Sequence, residues 1–159
     1  MIRSALAVLP LLAVSSPALA KDLRGRFGGG FNQQFGAVSA LSLRYAFPTN
    51  APAVNIQLEG AFGLETQAES GGRVFSGGRL LYGMIAEDNM NLFVAGGVGA
   101  LIADQTSTIR LQPTMGADFF FFGLENLGFT VEWGLNLDLA GQTGIATTAA
   151  AGAGVHYWF

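Results

Sequence analysis

The strongest constraint on the fold of this chain is an alternation of apolar and polar residues with a period of two. It is clearest over residues 127–137, where one parity is entirely apolar: Leu127, Phe129, Val131, Trp133, Leu135 and Leu137. The other parity carries glycine, threonine, glutamate and asparagine. Because successive side chains of a β-strand point to opposite faces, this segment is predicted to be a strand with one apolar face.

The same alternation, blurred in places by glycine and alanine, divides the chain into eight candidate strands of about nine to fifteen residues. They cover residues 24–32, 37–47, 54–63, 74–85, 91–101, 109–119, 127–137 and 145–159. Strands of soluble proteins usually have about 5–6 residues, whereas a membrane-spanning strand needs about 9–11. No stretch after Ala20 is apolar over the roughly 18 residues of a membrane helix. The predicted fold is therefore all-β: an eight-stranded antiparallel up-and-down transmembrane β-barrel.

The amino-terminal segment has a different pattern, which is typical of targeting sequences. Arg3 precedes an apolar run from Ala5 to Val14, and Ala18-Leu19-Ala20 forms an A-x-A cleavage pattern. We predict a cleaved signal peptide over residues 1–20 and one β-barrel domain over residues 21–159.

Composition indicates which face of the strands is outside. Charged residues make up 12% of the chain, about half of the usual ~25%, as a lipid-facing belt would require. Glycines share the parity of the charged residues, and a narrow eight-stranded interior needs such small residues. A soluble, lipocalin-like ligand-binding barrel, with its apolar face inward, is the alternative.

The connections between the candidate strands fall into two alternating sets. With both termini in the periplasm, the tight turns at residues 48–52, 87–90 and 123–126 face that side. Aromatic residues collect near the same rim and are expected to form an interfacial girdle: Tyr45, Phe47, Tyr82, Phe93, Phe119–Phe122, Phe129, Tyr157 and Phe159.

The chain ends in an aromatic residue with apolar residues at alternate upstream positions: Phe159, Tyr157, Val155, Ala153 and Ala151. This ending resembles the C-terminal assembly signal of bacterial outer-membrane β-barrels. With the strand pattern, residues 21–159 resemble the small eight-stranded barrels that include OmpX and the membrane domain of OmpA. The resemblance implies export to the outer membrane of a Gram-negative bacterium and contact with outer-membrane lipid. It also implies assembly by periplasmic chaperones and the barrel assembly machinery, which would recognise Phe159.

Charged residues of inward parity are predicted to fill the barrel: Arg24, Arg26, Arg44, Glu59, Arg79, Arg110, Asp118, Glu132 and Asp138. Pairing the third and fourth strands places Glu59 near Arg79, and Glu132 has a similar depth. We therefore expect a mid-barrel cluster of these three residues, because buried charge must be paired. Arg24, Arg26, Arg44 and Asp118 are expected nearer the periplasmic end, and Arg110 and Asp138 nearer the outer end.

Few residues of this chain are suited to catalysis or metal binding. There is no cysteine and only one histidine, His156, which excludes thiolate and multi-histidine metal sites. Outer-membrane lipid A deacylases carry a His-x-Ser pair, whereas this chain has His156-x-Trp158, so His156 is expected to be a structural residue at the rim. We expect no catalysis, no cofactor, no metal and no nucleic-acid partner, and the sequence does not identify a surface partner.

The predicted function is a structural or envelope-related role for a barrel plugged by its polar network. A small porin or passive channel is the alternative, since the same charges could line an ion path. An eight-stranded interior filled by side chains favours the plug.

Overall fold

The computed structural model of the chain describes residues 21–33, 38–50, 54–66, 71–103, 106–140 and 144–159. Eight strands occupy these ranges: β1 (Phe27–Asn32), β2 (Ala40–Ala46), β3 (Asn55–Glu65), β4 (Arg73–Glu87), β5 (Met90–Ala103), β6 (Thr106–Phe120), β7 (Leu127–Ala140) and β8 (Gly144–Trp158). Each strand pairs antiparallel with its neighbours in sequence, and β8 pairs with β1, so the sheet is a closed barrel. The predicted eight-stranded, all-β, antiparallel fold is confirmed.

The predicted signal peptide, residues 1–20, lies outside the described residues. Within the described part of the chain, no helix is both long enough and apolar enough to cross a membrane.

The strands are staggered around the barrel. Starting at Gly29 on β1 and following paired residues from strand to strand leads to Thr147 on β8. Gly29 itself pairs with Tyr157, ten residues further along β8. This offset, the shear of the barrel, tilts the strands relative to the barrel axis. Which residues face each other across the interior therefore depends on the pairing of all eight strands.

Alternation along the strands places apolar side chains outside and polar side chains inside. Leu43, Val98 and Trp133 are 70%, 52% and 52% exposed, whereas Glu59 is 1% exposed. A soluble lipocalin-like barrel has the opposite arrangement, so that alternative does not fit the structure.

Three apolar clusters interrupt the polar interior. One closes the end of the barrel where β1 begins and β8 ends; we call it the mouth cluster, and its members are Leu23, Ala46, Phe120 and Trp158. The second contains Leu81, Phe93 and Ala95, and the third contains Val38, Ala40, Ala61 and Phe75. Phe93 and Phe120 were expected in the outer girdle but point inward. Glycine and alanine obscure the parity of β5, and Phe120 lies in an aromatic run that breaks alternation at the end of β6.

Several other aromatic residues near this end pack against each other on the outside. Ring centroids are 4.6 Å apart for Phe27 and Tyr45, and 5.1 Å apart for Tyr157 and Phe159. Trp158 packs inside against glycines on both adjacent strands. A Cβ at Gly28 or Gly128 would lie 3.1 Å or 3.2 Å from the indole, closer than ordinary van der Waals contact.

The first predicted strand begins later than expected, at Phe27 instead of Arg24. The preceding residues turn at Gly25, whose φ of 74° is in the left-handed region that favours glycine. This turn directs Leu23 into the mouth of the barrel, where it is buried, and the Gly25 N–H donates to Ala46 O at 2.8 Å. The amino-terminal segment therefore helps to close the mouth.

Candidate functional site: a charged layer inside the barrel

Glu59 is the centre of the buried polar interior. Strand pairing places it opposite Arg44 on β2 and Arg79 on β4. Its Oε2 accepts hydrogen bonds from Arg44 Nε at 3.0 Å and Arg79 Nε at 2.7 Å. Its Oε1 accepts from Ser42 Oγ at 2.5 Å and from Asn32 Nδ2. Four donors therefore satisfy both carboxylate oxygens, which compensates for the burial of the charge.

The two arginines extend this network to the opposite wall. Arg79 Nη1 donates to Glu132 Oε2 at 2.5 Å, and Arg44 Nη1 donates to Asp118 Oδ1 at 3.0 Å. The hydroxyls of Thr114 and Thr130 donate to Glu132 Oε2 and Asp118 Oδ1 at 2.9 Å and 2.6 Å. We call the group of Arg44, Glu59, Arg79, Asp118 and Glu132 the charged layer.

The structure brings together the three residues that the sequence placed in one cluster, Glu59, Arg79 and Glu132. Arg44 and Asp118 were expected nearer the periplasmic end, apart from this cluster. Asp118 does lie on the side of the cluster that faces that end, but Arg44 bonds to both Glu59 and Asp118, so the expected separation was wrong. Arg44 lies in register with Glu59, and the shear of the barrel lets its guanidinium reach Asp118. The stagger between β2 and β6 is not visible in either strand alone.

Arg110 and Asp138 form a separate ion pair toward the other end of the barrel. They face each other across β6 and β7, and two hydrogen bonds of 2.6 Å and 2.7 Å join the guanidinium to the carboxylate. A hydrogen bond from Gln112 Nε2 to Asn136 Oδ1, at 2.8 Å, lies one inward position closer to the charged layer.

Arg24 and Arg26 lie at the mouth, which is the end of the barrel where they were expected, but they do not fill its interior. Arg26 precedes β1 and donates to the backbone oxygens of Trp158 and Phe159, at 3.0 Å and 3.2 Å. Arg24 donates to both carboxylate oxygens of Asp22, at 2.8 Å and 2.7 Å. This hydrogen bonding lowers the pKa of Asp22 to about 2 and raises the pKa of Arg24. Both arginines therefore anchor the termini.

His156 was expected at the rim but is fully buried inside the barrel. Its Nε2 lies 2.7 Å from Ser42 Oγ. Because Ser42 donates its only hydroxyl proton to Glu59, Nε2 of His156 is the donor in this contact. The arrangement of His156, Ser42 and Glu59 differs from the catalytic triad of a hydrolase. In a triad the carboxylate bonds the imidazole, whereas here the Glu59 carboxylate bonds the serine. Residues 156, 42 and 59 are also buried, at no more than 1% exposure each.

Several uncharged members of the network were missed by sequence reasoning. Asn32, Ser42, Thr114 and Thr130 all have inward parity and are buried. Each is a polar residue at an inward-facing position of its strand, at the same depth in the barrel as a charged residue. That sequence signal would have identified them. Within the described ranges, no group of three or more histidine, aspartate and glutamate side chains is placed to hold a metal ion.

The residues of the predicted assembly signal lie on the outer face of β8. Phe159 and Tyr157 are exposed, as is Ala153, and Val155 is partly exposed. Phe159 follows β8 directly, and its N–H donates to Phe27 O at 2.8 Å. The carboxyl-terminal strand thus presents its apolar residues outward while closing the barrel against β1.

Comparison with known proteins gives a likeness in structure only. No protein-family model matches the chain, and no curated protein sequence matches it. One similar structure is that of the Yersinia pestis outer membrane protein Ail, determined in a phospholipid bilayer nanodisc. The TM-score is 0.54 at 12% sequence identity, and the match covers 84% of this chain and 97% of Ail. The chain therefore shares the fold of the small eight-stranded bacterial outer-membrane β-barrels, as its sequence pattern predicted.

Proposed function

We propose that this chain is an outer-membrane β-barrel protein of a Gram-negative bacterium, with a closed interior and a structural or envelope-related role. The observation that carries the proposal is that apolar residues face outward and charged residues face inward, the reverse of a soluble protein. Large apolar side chains are exposed around the barrel, while arginine and glutamate are buried inside it. Such a surface is stable in lipid, where it replaces lipid–lipid contacts, and it would aggregate in water.

The interior supports a plug and not a channel. Each arginine of the charged layer is bonded to two carboxylates, and an ion path would have to separate these buried pairs, which is strongly unfavourable. The mouth cluster adds an apolar barrier at one end. We therefore expect no steady conductance, and we expect no catalysis from the buried Ser42–His156 pair.

The final strand supports a role in assembly. Phe159, Tyr157, Val155 and Ala153 form an exposed apolar row that ends at the carboxyl terminus, as the resemblance to the assembly signal requires. We propose that periplasmic chaperones and the barrel assembly machinery are its partners during biogenesis, and that outer-membrane lipid is its partner afterwards.

Gel mobility of the protein from purified outer membranes, with and without boiling, tests this proposal. A folded barrel that resists detergent should migrate differently from the boiled chain, and the protein should stay with the membranes after a salt wash. Planar-bilayer recording of the same preparation should give no steady current. Recovery in a soluble periplasmic wash would overturn the membrane location, and steady ion conductance would overturn the plug.

A further inference from the structure

A second group of buried polar residues, which shares Asp118 with the charged layer, lies on the side of that layer that faces the mouth cluster. Asn55, Gln57, Asn91 and Asp118 are each at most 5% exposed. Asn55 Oδ1, Gln57 Oε1, Asn91 Oδ1 and Asp118 Oδ2 have no hydrogen-bond partner among the described residues. We call these four residues the oxygen cage. Buried polar atoms without partners are unfavourable, so these four oxygens require a partner that the described residues do not supply.

All four side chains are buried inside the barrel, on strands β3, β5 and β6. Asn91 on β5 pairs directly with Asp118 on β6, and Asn55 and Gln57 occupy successive inward positions of β3. On β4, between them, Gly83 has no side chain, and a Cβ there would lie 2.9 Å from Asn55 Cβ. Phe120, the next inward residue after Asp118, belongs to the mouth cluster, which therefore lies next to these residues.

The charged layer lacks one positive charge. Its carboxylates are Glu59, Asp118 and Glu132, and its guanidiniums are Arg44 and Arg79. Arg110 and Asp138 form a balanced pair elsewhere. With His156 neutral, the sealed layer carries one excess negative charge, which is unfavourable in a low-dielectric interior.

We propose that the oxygen cage binds one monovalent cation. Amide and carboxylate oxygens are hard ligands suited to ions such as Na⁺. A single carboxylate provides the charge for a monovalent ion, and the ion balances the layer. Water could satisfy the amide oxygens, together with Arg44 Nη2 and Asn91 Nδ2, which also have no partner among the described residues. Water would, however, leave the excess charge in place.

Thermal unfolding of the detergent-folded protein tests the proposal. The temperature at which half of the folded gel band is lost is measured at constant ionic strength, with Na⁺ replaced stepwise by choline, a bulky organic cation. The wild-type temperature should rise with Na⁺ concentration. Asp118→Asn should abolish that shift, and Asn91→Leu, which keeps the charge but removes an oxygen, should weaken it. The matched control is Asp138→Asn, which should keep the full Na⁺ dependence.

Equal unfolding temperatures in Na⁺ and choline would overturn the proposal, as would a Na⁺ shift that survives Asp118→Asn. If Asp118→Asn does not fold, the Na⁺ dependence of the Asn91→Leu unfolding temperature is the test, and an undiminished shift would overturn the proposal. A proton on His156 is the competing source of positive charge. ¹⁵N NMR of His156 showing a cationic ring in Na⁺-free buffer, with no Na⁺ effect on stability, would assign the charge to the proton and overturn the cation.

Discussion

Arg44 on β2 is bonded to Asp118 on β6, on the opposite wall of the barrel, at 3.0 Å. The same guanidinium donates to Glu59 on the neighbouring strand. Arg44 therefore connects two sides of the sheet that have no backbone hydrogen bonds to each other. Such a connection makes the stability of the barrel depend on a few buried side chains as well as on strand pairing.

Arg79→Met should lower the free energy of unfolding by about 3–5 kcal/mol, because it leaves Glu59 and Glu132 buried with less compensation. Arg73→Met is the matched control on the same strand. Arg73 lies 3.8 Å from Glu65, and both side chains are partly exposed, so the loss should be at most about 1 kcal/mol. Urea titration of both variants in detergent measures the difference. Equal losses would contradict a stabilising charged layer.

Val131→Arg should destabilise the inserted barrel by about 2–4 kcal/mol, because it places a charge on the outer face near the middle of β7. Leu139→Arg, on the same face but near the end of β7, should lose only about 0–1 kcal/mol, where the charge reaches an interface. Folding into phospholipid vesicles at several urea concentrations gives both values. A larger loss for Leu139→Arg would refute the expected depth of these residues.

The two tryptophans should report opposite environments. Trp133 is exposed on the outer face of β7, whereas Trp158 is buried in the mouth cluster. In vesicles of brominated lipid, the fluorescence of Trp158→Phe, which retains Trp133, should be strongly quenched. Trp133→Phe, which retains Trp158, should be quenched much less. Weak quenching of Trp158→Phe would show that the outer face around Trp133 is not in lipid.

Deletion of Phe159 should reduce assembly in cells, because it removes the terminal aromatic residue of the proposed signal and its hydrogen bond to Phe27. Phe122→Ala is the control, since Phe122 is also an exposed phenylalanine but lies in a turn. The amount of heat-modifiable protein in outer membranes measures assembly. Normal levels after the deletion would remove Phe159 from the proposed signal.

Acid should release the amino-terminal segment from the mouth. The pKa of Asp22 is lowered to about 2 in the folded protein, below the ~3.9 of a free aspartate. Its contribution is therefore present above about pH 4 and is lost as the pH falls toward 2. Hydrogen exchange of the Gly25 amide should accelerate across that window, with the intrinsic pH dependence of exchange subtracted. Asp22→Asn should exchange faster at neutral pH and show no such transition.

The local sequence determined the number of strands, their approximate bounds and the face of each strand that is polar. These properties depend on the two-residue repeat of an extended chain, which is readable within one strand. The contact between Glu59 and Arg79 was also predictable, because β3 and β4 are consecutive and their connection sets the register. The apolar outer face followed from the scarcity of charge.

Only the tertiary structure decided which residues meet across the interior. The contacts of Arg44 with Asp118 and of His156 with Ser42 depend on the ten-residue shear, which is the sum of pairing around all eight strands. The burial of Leu23, Phe93 and Phe120 also depends on space left inside the closed barrel, such as that beside Gly28 and Gly128 for Trp158. Closure of the sheet creates these contacts and spaces, and no single strand specifies them.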